Sequence, residues 1–114
     1  MDSNTLCKIR DTLRAIAALE QHFEKTHALN LNEAMLLCSL CEVDHLTSGE
    51  IAEKLAISCS NCSKVISSCE RKGLVSRQFG TVDKRQSFIS ITPDGRNRLA
   101  ELKADHVALP DCLQ

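Results

Sequence analysis

The stretch that decides the fold reads LTSGEIAEKLAIS over residues 46–58, CSNCSKVISSCERKGLVSRQ over 59–78 and FGTVDKRQSFISIT over 79–92. Thr47, followed three residues later by Glu50, forms a capping-box pair that predicts a short helix holding Ile51, Ala52 and Leu55. Ser58 predicts the start of a second helix, which carries Arg71 and Lys72 in its last turn and ends at Gly73. Residues 74–79 and 86–91 alternate as two strands around a turn at 80–85. Helix, turn, helix and charged hairpin, in that order, predict a winged helix-turn-helix. Such a unit sets one helix in a DNA major groove and a hairpin tip against the backbone or minor groove.

Outward from this stretch, Leu6, Ile9, Leu13, Ile16, Ala17, Leu19 and Phe23 recur at helical spacing and predict a long amphipathic helix from residue 5 to about residue 25. Asn30 or Asn32 caps a helix through Leu36, Leu37 and Leu40. On the other side, Thr92-Pro93-Asp94 opens a last helix, with Thr as N-cap and Pro at the first helical position, and with Leu99 and Leu102 on its apolar side. Pro110 would stop any helix after about Leu109. The fold class is therefore mainly α with a small β-wing of two or three strands. At 114 residues the chain is long enough for one buried core and short for two domains.

Net charge is −1, yet the charges are segregated. Residues 64–98 hold eight cations against three anions, whereas residues 1–63 hold five against nine. The positive half coincides with the second helix of the pair and the hairpin, where phosphates would lie. Phe23, Phe79 and Phe88 are the only aromatic residues, which argues against a stacking platform for single strands or RNA bases. No apolar run approaches the roughly 20 residues of a membrane span, and the N-terminus lacks a signal-peptide core, so the expected location is cytoplasmic with no membrane partner.

Six short motifs carry a family resemblance over roughly residues 29–100. They are Leu46-Thr47, then Ile51-Ala52 with Leu55, then Ile57-Ser58, then the run Glu70-Arg71-Lys72-Gly73-Leu74-Val75, then Asp83-Lys84-Arg85, and Ile91-Thr92-Pro93-Asp94-Gly95. In this order and spacing the chain resembles the MarR-type transcriptional regulators. The resemblance implies a homodimer reading a pseudo-palindromic operator in double-stranded DNA, usually as a repressor released by a small-molecule effector or by oxidation. It also implies winged-helix DNA binding with N- and C-terminal dimerisation helices. Within a single winged-helix domain over 1–114, residues 1–28 would be the N-terminal dimerisation helix, 29–92 the winged helix-turn-helix and 93–114 a short C-terminal helix and tail. The resemblance further implies two C-terminal helices that complete the dimer, for which one shortened helix is expected here. Leu6, Ile9, Leu13, Ile16 and Phe23 opposite Leu99, Leu102 and Leu109 are the expected interface.

The second helix of the pair should turn Cys62, Val65, Ile66 and Cys69 inward. Ser60, Asn61, Ser63 and Lys64 are then the base-reading candidates, with Ser67 a further DNA-binding candidate on the outward faces: Asn61 can pair bidentately with adenine, and Lys64 can meet guanine or phosphate. Arg71, Lys72, Arg77 and Lys84 are the phosphate anchors. Arg85 is the wing residue, a cation suited to a narrow minor groove, with Asp83 placed to hold its guanidinium; the resemblance gives this Asp–Arg pair the same role. A solvated, capping role is the plainer reading of the serines.

Seven cysteines are present. Cys38-x-x-Cys41 and Cys59-x-x-Cys62 match a four-cysteine zinc spacing on paper, but both pairs fall in helical segments and Cys62 lies on the inward stripe. Cys7 and Cys59 are the candidate redox thiols, Cys59 because a helix N-terminus favours thiolate. His22, His27, His45 and His106 show no ligand spacing and read as surface or helix-end residues. Neither a phosphate-cradling loop nor a hydrolase motif is present, so no enzyme activity and no cofactor are expected. The competing function is a winged-helix protein-interaction module without an operator of its own.

Overall fold

The computed structural model describes residues 1–80, 87–107 and 109. The described residues form five helices and one three-stranded antiparallel sheet, divided between two compact units. None of the helices is long and apolar enough to cross a membrane.

The first unit comprises Met1–Asn30 together with the segment from Asp105 onward. Its helix α1, Ser3–His27, starts two residues earlier than the periodicity predicts because Asp2 serves as N-cap, its carboxylate accepting from the Thr5 amide at 2.8 Å. That bond holds the Asp2 carboxyl below the usual carboxylate range. The helix ends at Ala28, a left-handed residue (φ 55°) whose amide returns to Glu24 O at 3.2 Å. No residue of α1 is buried, and Leu6, Ile9 and Leu13 remain 56%, 43% and 62% exposed. At the C-terminal end of α1, His22 Nε2 and His27 Nε2 lie 2.6 and 2.7 Å from the same Asp105 Oδ2. The two imidazoles, His27 foremost, hold the Asp105 carboxyl below its usual range. His27 ends its helix as expected, but its side chain is only 8% exposed, so it is not the surface residue that the sequence suggests.

The second unit, Leu31–Ala104, is the winged helix. Helix α2 (Leu31–Leu40) leads through β1 (Leu46–Thr47) to α3 (Ser48–Leu55) and α4 (Cys59–Arg71). Strands β2 (Val75–Phe79) and β3 (Ser87–Ile91) follow, then α5 (Pro93–Ala104). Of the two caps expected for α2, Asn30 immediately precedes the helix and Asn32 lies inside it. Strand order is β1-β3-β2; Leu46 pairs with Ile89, and Val75 through Phe79 pair in register with Ile91 back to Ser87.

The capping box at Thr47 is complete: the Glu50 amide donates to Thr47 Oγ1 at 3.2 Å, and the Thr47 amide donates to Glu50 Oε1 at 3.0 Å. The second bond holds the Glu50 carboxyl below its usual range. Helices α2, α3 and α4 pack on one another around Leu36, Leu37, Leu40, Ile51, Ile66 and Cys62, closed below by Leu74 and Ile89 from the sheet side. Each such fully buried aliphatic side chain contributes roughly 1.5–3 kcal/mol. Leu99, expected at a dimer interface, is 7% exposed and buried within the protomer, on the helix that packs against α2. Helix α5 also stops at Ala104, five residues before the limit set by Pro110.

Candidate nucleic-acid interface

Between α3 and α4 the chain turns within three residues. Ala56 is left-handed (φ 54°), the Ile57 amide returns to Ala52 O at 3.1 Å, and Ser58 Oγ accepts from the Asn61 amide at 3.1 Å. This fixes the start of α4 and hence the rotation of its faces. Cys62, Val65, Ile66 and Cys69 are buried as one stripe, the set the 3.6-residue spacing predicts. Ser60, Asn61, Ser63, Lys64 and Arg71 are exposed, and Ser67 is half-buried at the margin. The side chains of Ser60, Asn61, Ser63 and Lys64 make no hydrogen bond to the other described residues.

The remaining cations are arranged less uniformly. Lys72 Nζ donates to both carboxylate oxygens of Glu33, at 3.0 and 2.8 Å, and Glu33 is 2% exposed. Ser68 Oγ donates to the same carboxylate at 2.8 Å. The sequence reading sets Lys72 out as a phosphate anchor; in the structure its ammonium is tied to a buried acid on α2. Glu33, the buried acid that ties Lys72 down, is not legible in the sequence, because its only local signal is an acid in the first turn of a helix. Arg77 is drawn inward too, its Nε 3.7 Å from Glu70 Oε1 with the side chain 22% exposed and Nε itself without a hydrogen-bond acceptor. Asp83, Lys84 and Arg85 lie outside the described residues. A cleft of about 330 Å³ opens between the turn after α2 and α5, lined by Cys41, Glu42, Arg96, Leu99, Ala100 and Lys103.

The described cysteines differ in burial. Cys7, Cys38 and Cys59 are exposed, Cys41 is half-buried, and Cys62 and Cys69 are buried. Burial, with Cys59 nearby, raises the Cys62 thiol, whose Sγ donates to Ser48 O at 3.5 Å. Burial, reinforced by the Glu33 carboxylate, pushes Cys69 up to about 12. The two Cys-x-x-Cys pairs are not gathered into a common ligand set among the described residues. On brief iodoacetamide treatment of the folded protein at pH 8, Cys7, Cys38 and Cys59 are expected to alkylate well before Cys62 and Cys69. Burial beside the Glu33 carboxylate keeps the Cys69 thiol protonated, and so unreactive, at that pH. Equal labelling of Cys69 and Cys59, read by peptide mass mapping, would contradict the buried stripe.

Comparison with known proteins places this geometry. The MarR family model matches residues 29–87. The uncharacterised HTH-type transcriptional regulator YwaE of Bacillus subtilis (strain 168) is 30% identical over 93 residues, covering 82% of this chain and 54% of that protein. The chain thus spans about half the length of this curated relative. Among solved structures, Bordetella bronchiseptica BpsR, whose DNA binding is regulated by 6-hydroxynicotinic acid, superposes with a TM-score of 0.77 at 20% identity over 90% of this chain and 76% of its own. S. aureus MepR in complex with DNA gives 0.67 at 20% identity over 90% and 82%. At those identities the two structures speak for the fold alone. The family match runs from just before α2, through both helices of the pair, to the first residue of β3, and on that ground the chain belongs to the MarR family.

Proposed function

We propose that the chain is a sequence-specific regulator of transcription, a repressor that binds a pseudo-palindromic operator in double-stranded DNA as a homodimer. The observation that carries this reading is the exposed face of α4. A helix held at its start by Ser58, buried along one stripe, offers Ser60, Asn61, Ser63 and Lys64 with their side chains uncommitted to hydrogen bonds among the described residues. The first turns of such a helix are the part that reaches base edges. Arg71, exposed in the last turn, and Lys84 take the phosphate contacts. Arg85, oriented by Asp83, takes the wing contact. Lys72 and Arg77 contribute at most a share of their charge, since Glu33 and Glu70 stand beside them.

The partition proposed for the chain is a dimerisation helix over 1–28, a DNA-binding unit over 29–92 and a short C-terminal helix and tail over 93–114. Leu6, Ile9 and Leu13 on α1 are the exposed apolar residues that a second copy would cover. A small-molecule effector fits the same reading, as BpsR responds to one.

Fluorescence anisotropy on the upstream DNA of its own gene, against a scrambled duplex at two salt concentrations, tests the proposal. Binding should be selective and should weaken steeply with salt. Asn61→Ala should cost about 1–3 kcal/mol on the operator and little on the scrambled duplex. Arg85→Ala should weaken binding to the operator. Lys64→Ala, if its contact is a phosphate, should lower the salt slope by about one. Weak binding, equal on both duplexes and indifferent to Asn61→Ala and Arg85→Ala, would favour a protein-interaction module instead.

A further inference from the structure

We propose that His22, His27 and Asp105 form a binding site for a divalent transition-metal ion of the zinc type. The inference is independent of the DNA reading. It rests on convergence: two imidazoles direct the same ring nitrogen, Nε2, at a single carboxylate oxygen, 2.6 and 2.7 Å away, and the three donor atoms all lie within 4.8 Å of one another. In a tetrahedral zinc site, with metal–ligand distances of 2.0–2.2 Å, donor atoms stand about 3.3 Å apart. Opening the two imidazole–carboxylate distances by about 0.6–0.7 Å and drawing the imidazole nitrogens to the same spacing, both within side-chain rotation, turns the hydrogen-bonded triad into a ligand set.

The surroundings suit an ion. His27 is 8% exposed, Asp105 20% and His22 39%, so the site has a closed floor and an open side for entry. The Phe23 ring stands edge-on to His27 at 6.0 Å and tilted to His22 at 6.3 Å, an apolar wall that limits competition from water. Thr26 Oγ1 lies 3.5 Å from His22 Nδ1, on the side where a second partner fixes the tautomer that leaves Nε2 free to ligate. Two imidazoles and one carboxylate favour zinc, cobalt or nickel over magnesium and calcium. Three protein donors leave a fourth position for water, as in open zinc sites.

Sequence spacing conceals this set. His22 and His27 are five residues apart, about 140° around a helix, so they do not share a face as an i, i+4 pair does. Asp105 stands between their rings and is 78 residues from His27.

Titration of the full chain with zinc chloride under reducing conditions, by calorimetry and by NMR of the imidazole nitrogens, tests the site. One ion per chain is expected, shifting His22 and His27 Nε2 while His45 and His106 stay in place. His22→Ala and Asp105→Asn should each weaken affinity at least tenfold. His22 is part-exposed, so His22→Ala should melt like the parent in the absence of metal. Cys59→Ser should leave affinity unchanged. An absence of binding, or binding that survives His22→Ala and Asp105→Asn and is lost in Cys59→Ser, would overturn the proposal.

Discussion

Gly95→Ala is expected to destabilise the protein by about 3 kcal/mol, the upper end of the usual overpacking range or beyond it. A β-carbon on Gly95 would stand 2.1 Å from Leu74 O, 2.8 Å from Ile91 Cγ1 and 3.1 Å from Leu74 C. The nearest of these is backbone, and it is pinned: Leu74 O accepts from the Thr92 amide at 3.1 Å, while Leu74 N donates to Cys69 O at 2.9 Å. Thr92 Oγ1 donates to Gly73 O at 2.7 Å and accepts from the Gly95 amide at 3.0 Å. The start of α5 is thereby held against the exit of α4, and the missing side chain at Gly95 is what permits the approach. Alanine would gain about 1 kcal/mol of helix propensity, too little to offset the clash. Gly49, in the first turn of α3, is the control: its added β-carbon would find only Thr47 Oγ1, at 4.0 Å. Gly49→Ala should be neutral or stabilising by up to about 1 kcal/mol. Urea unfolding of both variants separates the cases, and equal midpoints would rule out the close approach.

Gly95 marks where reading the sequence succeeds and where it stops. Its place in the Thr92-Pro93-Asp94-Gly95 run is legible, and the run opens α5 as expected. The Thr47–Glu50 box, the Ser58 cap, the inward stripe of α4 and the two longer strands are legible for the same reason. Each is fixed by residues within four or five positions of one another, where helical and strand periodicity and capping chemistry act. The reason for a glycine at 95 is not legible, because the atom it avoids belongs to Leu74. Neither is β1, two residues long, which exists only through its pairing with Phe88 and Ile89. The burial of Leu99 and the convergence of His22, His27 and Asp105 likewise depend on long-range packing. For the candidate interface, spacing identifies which residues of α4 face outward, but it cannot say that Lys72 has an acid waiting 39 residues upstream.

That pairing yields the second large effect. Lys72→Ala is expected to cost about 3 kcal/mol, the lower end of the range for breaking a buried ion pair. The loss is set by Glu33, not by Lys72. Lys72 is 34% exposed and could recover water, whereas Glu33, at 2%, would lose the ammonium that meets both its oxygens while the Ser68 Oγ bond at 2.8 Å and the weaker Cys69 Sγ contact at 3.8 Å remain. Glu33→Leu should therefore cost less than Lys72→Ala, since the lysine it releases can reach solvent. The double variant Glu33→Leu/Lys72→Leu should regain most of the loss, because a buried pair replaced by apolar groups of similar volume is often neutral. A double-mutant cycle in urea, closed with Glu33→Leu and Lys72→Leu as the single variants, measures the coupling, expected at roughly 1–3 kcal/mol and little altered by 0.5 M salt, as screening acts weakly on a buried partner. The same variants separate fold from function. If Lys72 serves chiefly to neutralise Glu33, the double variant should bind DNA nearly as well as the parent, while Arg71→Ala weakens binding on every sequence and lowers the salt slope. A double variant that folds stably yet loses affinity as Arg71→Ala does would return Lys72 to the phosphate contacts. Additive single-variant losses would mean that Glu33 is satisfied without it.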